Sequence, residues 1–260
     1  MNRFSLEGKV AIVTGASGLI GKAFCQVLKE AGANVVAADI NTNEELSDYY
    51  FQSTDITDED SVQQLVDNVI AKFGKIDILV NNAAINDMFE DPKATLELSK
   101  FENYPLELWE RSLKVNLTGT FICSKIIGKQ MLINNKGSII NLASTYGITA
   151  PDQSLYTNEN GEQMFFKPPA YSATKGGVIM LSKFLAAYWG KNGIRVNSLS
   201  PGGIENGQDP YFIENYSKRT PLNRMATVDD YKGAIVFLAS DASLYMTGAN
   251  LIIDGGWTAW

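Results

Sequence analysis

The sequence predicts an α/β chain: a single-domain, doubly wound sheet of about seven mostly parallel strands with helices on both faces. Three observations carry this. Short runs rich in Val, Ile and Ala recur between longer segments of helical period, the pattern of parallel strands buried on both faces and joined by crossover helices. The alternation runs through all 260 residues with no repeat, linker or low-complexity segment. A glycine-rich turn separates the first strand from the first helix.

The elements follow in order. Lys9 to Thr14 reads as the first strand, followed by the glycine turn and a helix to about Ala31. Asn34 to Asp39 is the second strand and Tyr50 to Thr54 a shorter third. Thr57 is the expected N-cap of the next helix, with Asp58, Glu59 and Asp60 in a first turn where negative charge suits the helix dipole. Val62, Leu65, Val66, Val69, Ile70 and Phe73 keep the helical period until Gly74 closes it. The fourth strand is Ile76 to Asn81. A long helix is expected from Pro105 to Leu132, then strand Ser138 to Ala143, helix Ala170 to Lys191 and strand Arg195 to Leu199. Thr227-Val228-Asp229-Asp230 opens the last helix, and Ala249 to Asp254 is the seventh strand. An insertion at 151–169 and a loop at 201–221 escape the pattern, and long loops in compact domains are often functional.

The net charge of −7 and pI near 4.8 repel a phosphate backbone, so no nucleic-acid partner is expected. The first residues lack a secretory apolar core, and no run reaches the ~18 apolar residues of a membrane span, so a cytoplasmic protein with no membrane partner is expected. Cys25 and Cys123 form no paired motif and read as buried small side chains. Histidine is absent, which removes Ser-His-Asp and Cys-His catalysis and His-ligated metal sites; no metal is expected. Proton transfer near neutral pH must then use a carboxylate, Lys, Cys or Tyr with a shifted pKa.

Gly15-Ala16-Ser17-Gly18-Leu19-Ile20-Gly21 opens the first helix. Glycines there permit a tight turn and close backbone approach to a pyrophosphate, whose charge the helix N-terminus attracts. Gly15, Ser17, Gly18, Leu19, Ile20 and Gly21 are therefore candidate cofactor contacts in a Rossmann-type site. Asp39, at the end of the second strand, is placed to accept hydrogen bonds from the adenosine ribose. Its charge would repel a 2′-phosphate, and Ile40 follows where a base would suit NADP; NAD is expected.

Tyr171-Ser172-Ala173-Thr174-Lys175 sets a phenol and an ammonium on one helix face. Free Tyr, with a pKa of about 10, is a poor base at neutral pH, but a neighbouring cation favours the phenolate. Tyr171 could then exchange a proton with an alcohol while hydride moves to or from the cofactor.

Thr14-Gly15…Gly21, Asp55-Ile56, Asn81-Asn82-Ala83-Ala84, Val115-Asn116, Ser144, Tyr171…Lys175 and Pro201-Gly202 stand in the order and approximate spacing of the short-chain dehydrogenase/reductase family, which the sequence resembles from Leu6 to Gly256. The resemblance implies that Tyr171 transfers the proton and Ser144 bonds the reacting oxygen. It also implies that Lys175 holds the nicotinamide ribose and depresses the tyrosine pKa, and that Asn116 positions a relay water. Asp55 and Ile56 would contact adenine, Asn82, Ala83 and Ala84 would line the cofactor cleft, and Pro201, Gly202 and Ile204 would lie near the nicotinamide. Family members of this size are commonly homodimers or homotetramers, joined through the two long helices and the C-terminal strand region. Ala186, Ala187, Tyr188 and Trp189 offer apolar surface for this, with Trp257 and Trp260 as further contacts.

Three features depart from the family pattern. The glycines are spaced Gly-x-x-Gly-x-x-Gly, the spacing of longer members that act on nucleotide sugars. Ser144 and Tyr171 stand about twice the usual distance apart, because of the insertion. Gly203 to Gly207 replaces a common threonine. Gln153, Tyr156, Asn158, Glu159, Gln163, Phe165, Phe166 and Lys167 in the insertion suit a hydroxylated ring. In the second loop, beside Asn206, Gln208, Asp209, Tyr211 and Phe212, the pair Lys218 and Arg219 could meet a phosphate. The long loops also resemble the branch found in flagellin-modification and nonulosonate-type sugar pathways. The expected activity is alcohol/ketone interconversion on a polyhydroxylated small molecule: a sugar, sugar phosphate or nucleotide sugar. Two alternatives stand. One is an NAD-retaining sugar-nucleotide epimerase or dehydratase, disfavoured because no C-terminal substrate domain is expected. The other is a non-catalytic NAD-binding sensor.

Overall fold

The computed structural model describes residues 2–42, 44–86 and 92–260, with backbone alone at 92–94. Among these residues, seven parallel strands form one sheet in the order β3-β2-β1-β4-β5-β6-β7. They are β1 Val10–Thr14, β2 Asn34–Asp39, β3 Tyr50–Ser53, β4 Ile78–Asn81, β5 Gly137–Leu142, β6 Ile194–Pro201 and β7 Asn250–Ile253. The helices are α1 Leu19–Glu30, α2 Glu59–Phe73, α3 Pro92–Ser99, α4 Leu106–Ser112, α5 Thr120–Ile133, α6 Pro169–Trp189, α7 Pro210–Arg219 and α8 Asp229–Ala239.

Strand alternation divides the core into two layers. On β1, Val10 and Ile12 join α2, α5 and α6, whereas Ala11 and Val13 face α1 and α8. Both faces are covered, so every residue of β1, β4 and β5 is buried, as expected of a doubly wound sheet. The strand order reverses between β1 and β4, which opens a crevice at the strands' carboxyl ends. Cys25 and Cys123 are buried thiols, and burial pushes each up to about 12. No described helix is long and apolar enough to cross a membrane.

Four expectations need correction. The cap of α2 is Asp58, whose carboxylate accepts from the Asp60 amide. Thr57 is drawn away because its amide and hydroxyl both donate to Asp55 Oδ1 at 2.8 Å. β4 begins at Ile78 because the preceding Asp77 turns its carboxylate to the Val10 amide.

The long helix expected over 105–132 is α4 and α5 separated by a widened π turn at Leu113–Gly119. Asn116 sits in that turn, 1 % exposed, and its amide grips the main chain of Ile85: Oδ1 accepts from the amide at 2.7 Å and Nδ2 donates to the carbonyl at 2.9 Å.

Neither long loop is an open excursion. In the insertion, a tight turn at Gln153–Tyr156 leads to a bridge between Thr157 and Gln163, and Gln163 Nε2 donates to the carbonyls of Gln153, Tyr156 and Phe165. The second loop contains α7, started by Asp209 as N-cap and Pro210 at the first helical position.

Candidate active site

The glycine turn is shaped for a phosphate. Gly15 has φ +64°, and a Cβ there would lie 2.7 Å from Ala83 Cα; at Gly21 it would lie 2.1 Å from the Gly15 carbonyl oxygen. Asn82 Nδ2 holds the turn by donating to the carbonyls of Thr14 and Gly15, both at 3.0 Å, while Thr14 Oγ1 accepts from the amides of Asn82 and Ala83. The N-cap Gly18 supplies no side chain to the first turn of α1, which leaves that positive helix end open to an anion. Asp39 accepts from the Ser17 amide at 2.9 Å and from the Asn41 amide at 3.0 Å, so its carboxylate is fixed beside the turn. Ile40 is 65 % exposed. The residues fit a dinucleotide: small where its phosphates approach and acidic where its ribose would lie.

Asp55 and Ile56 have structural duties as well. Asp55 Oδ1 is occupied by Thr57, and buried Ile56 packs where a Cβ on Gly119 would come within 2.5 Å of its Cδ1.

The reacting centre lies across the crevice. β5 ends just before Ser144, α6 carries Tyr171 and Lys175, and the Ser144 hydroxyl lies on the phenol side of Tyr171. Burial raises the Tyr171 pKa, and the Ser144 hydroxyl acts in the opposite direction. Lys175 is 4 % exposed, donates to the Leu142 carbonyl at 2.7 Å, and has its Nζ 5.7 Å from the Tyr171 ring centre. Burial pushes its pKa down to about 8, which leaves it mainly charged at neutral pH. Asn116 reaches the same helix by donating to Thr174 Oγ1 at 3.4 Å. Asn116 in the π turn, Ser144 past the end of β5, and Tyr171 and Lys175 on α6 thus come together, although the insertion separates the first two from the last two in the chain.

A family model described as enoyl-(acyl carrier protein) reductase matches residues 15–258. The D-threitol dehydrogenase of Mycolicibacterium smegmatis is 37 % identical over 98 % of this chain and 95 % of its own length. The 2-dehydro-3-deoxy-D-gluconate 5-dehydrogenase of Pseudoalteromonas atlantica is 35 % identical over 99 % and 98 %. A short-chain dehydrogenase from Leptospira borgpetersenii with bound NAD+ superposes with a TM-score of 0.86, at 32 % identity and coverage of 98 % and 94 %. The chain belongs to the short-chain dehydrogenase/reductase family. It is an oxidoreductase that uses a nicotinamide cofactor. Family membership does not decide which cofactor: a similar gluconate 5-dehydrogenase from Burkholderia cenocepacia, with a TM-score of 0.84, 32 % identity and coverage of 100 % and 98 %, holds NADP and tartrate.

A cavity of about 830 Å³ extends from Ile20, in the first turn of α1, to the reacting centre. Ile20, Pro201, Gly202 and Ile204 line it together with Ser144 and Tyr171. The insertion and α7 supply the outer wall. Tyr156 packs on Phe165 and Phe212 with ring centres 4.8 and 5.6 Å apart, Tyr216 stacks on Trp257 at 4.4 Å, and Asp152 is ion-paired to Arg219.

Several side chains fall elsewhere than expected. Lys218 is bound to Glu214 and Arg219 to Asp152 and Ser154, so the basic pair is spent in surface contacts. Gln153 and Gln163 brace the insertion's own backbone. Trp257 packs inside its own subunit. Ala186 and Trp189 face the core, so the apolar surface of α6 is Met180, Phe184 and Tyr188. Tyr146, whose hydroxyl lies 3.1 Å from that of Tyr156, lines the cavity without having been foreseen. Its place two residues after Ser144, on the same strand-end turn, was the available signal.

Proposed function

We propose that this protein is an NAD(H)-dependent dehydrogenase that interconverts an alcohol and a ketone on a polyhydroxylated small molecule, with Tyr171 as acid and base. The observation that carries the reading is that the Tyr171 phenol and the Ser144 hydroxyl open together on one cavity, which extends to Ile20 at the start of α1. When bound, the cofactor takes up or returns the hydride. Tyr171 accepts the alcohol proton or returns it to the carbonyl oxygen, Ser144 orients that oxygen, and Lys175 keeps a cation behind the phenol. Asn116 belongs to the same assembly as the group that positions a relay water at α6. Asp39 favours NAD over NADP by charge.

The named activities of the relatives support the substrate class, since threitol and 2-dehydro-3-deoxygluconate are both polyhydroxylated. A homodimer or homotetramer fits the exposed Met180, Phe184 and Tyr188 on α6, whose last two rings stack at 6.0 Å. A cytosolic location fits a chain of this acidity and composition.

The test is Tyr171→Phe. NAD binding, followed by the shift in thermal melting, should persist, while NADH formation on a panel of polyols should fall by at least about 10²-fold. Unchanged turnover would remove Tyr171 from the chemistry.

A further inference from the structure

The end of the insertion holds a cation over the reacting centre. The Lys167 amide donates to Gln153 Oε1 at 2.8 Å, Gln153 Nε2 returns a bond to the Lys167 carbonyl, and the Phe166 amide donates to Ser99 Oγ. Pro168 and Pro169 then fix the path into α6. The backbone at Lys167 is thus set from both sides, and its Nζ lies 5.1 Å from the Tyr171 ring centre, donating to Asn86 Oδ1 at 2.9 Å.

No carboxylate among the described residues pairs with this ammonium. The other cations of the outer wall are neutralised, Arg219 by Asp152 and Lys218 by Glu214. Among the described residues lining the cavity, Lys167 is the one cationic side chain. Two acids also line it, Glu159 and Asp209. Both are exposed: Glu159 lies between Asn158 and Gly161 in the insertion's tight turn, and Asp209 caps α7. Among the described residues this partly desolvated charge meets only the neutral Asn86 amide and the Tyr171 ring, and a bound anion supplies the charge that both lack. Burial accordingly pushes the Lys167 pKa down to about 8, the direction expected of an ammonium without a counter-ion.

We propose that Lys167 is a specificity-determining residue that binds the carboxylate of an acidic polyhydroxylated substrate, so that the preferred substrates are sugar acids rather than neutral polyols. The inference rests on the proposed function, because it places the carboxylate relative to Tyr171. Charge separates a carboxylate from a phosphate ester. One ammonium balances a single negative charge, whereas a phosphate monoester brings close to two at neutral pH and its surplus would face Glu159 and Asp209.

The experiment compares aldonates of four to six carbons with the neutral polyols of the same carbon number and with their phosphate monoesters, read by NADH formation. In the unaltered enzyme, kcat/KM for the acid should exceed that for the matched polyol by at least about tenfold. Lys167→Met should lower that acid-to-polyol ratio by at least about tenfold, through KM rather than kcat, and Lys167→Arg should restore most of it. Calorimetric titration of D-gluconate into the enzyme with NADH gives a second readout, with binding at least about tenfold weaker in Lys167→Met. If no compound is turned over but D-gluconate binding depends on Lys167, the carboxylate site stands and the proposed activity falls. Phosphate esters outperforming acids would overturn the inference. So would a Lys167→Met effect equal on acids and polyols, which would mean that Lys167 acts only on Tyr171.

Discussion

Ser144 does two things with one hydroxyl: it accepts from the Tyr146 amide at 3.1 Å and favours the charged form of the Tyr171 phenol. A hydrogen bond donated to the phenolate favours the charged form, so losing it raises the Tyr171 pKa. For Ser144→Ala, the acid limb of the kcat/KM profile for alcohol oxidation should therefore move to higher pH, because less phenolate is present at any given pH; an unmoved limb would take this bond out of the account. Asp39 carries the other test at this scale. With Ile40 already exposed, Asp39→Ala combined with Ile40→Arg removes a repulsion and adds a phosphate partner without disturbing the core. The ratio of kcat/KM with NADP to that with NAD should rise by at least about tenfold. An unaltered enzyme that already prefers NADP would overturn the argument from Asp39.

The π turn between α4 and α5 is an element whose reason lies far along the chain. The buried Asn116 amide satisfies the part-buried main chain of Ile85 on both sides, and each buried polar group left alone costs about 1–3 kcal/mol. Asn116→Ala should therefore lower stability by about 2–4 kcal/mol in urea unfolding, beyond any effect on rate. What local pattern encodes was legible in the sequence: Val62, Leu65, Val66 and Val69 form the buried stripe of α2 as their spacing predicts, and the strands lie within a few residues of their expected bounds. The π turn was not, because a 3.6-residue period runs through Leu113–Gly119 and the partner that widens the turn is distant in the chain. α7 was missed because its exposed face is polar and its flanks are rich in Gly and Pro, although Asp209-Pro210 is a helix-start signal. At the site, the grouping of Asn116, Ser144 and Lys175 with Tyr171 was readable from order and spacing. The pairing of Arg219 with Asp152 was not, since which charges meet depends on how the two loops dock.

At the scale of the whole molecule, the exposed rings of α6 offer a test of the proposed assembly. Phe184 and Tyr188 are 62 % and 64 % exposed in the single chain, so charges placed there leave the core intact. Phe184→Glu with Tyr188→Glu should convert an oligomer into a species of the chain mass, 28.5 kDa, in light scattering, with thermal melting reporting an intact fold. A monomeric unaltered protein would instead remove the proposed assembly.

The outer wall of the cavity has a different consequence, for how such a protein can change. Tyr156 is packed between Phe165 of its own loop and Phe212 of α7, and Asp152 crosses to Arg219. The two segments behave as one cassette. Exchanging the insertion alone with that of a relative would strand Arg219 and uncover Phe212, whereas carrying both segments together transplants a matched surface onto an unaltered hydride-transfer floor. A change of substrate choice on this scaffold is thus expected to need both segments exchanged as a pair.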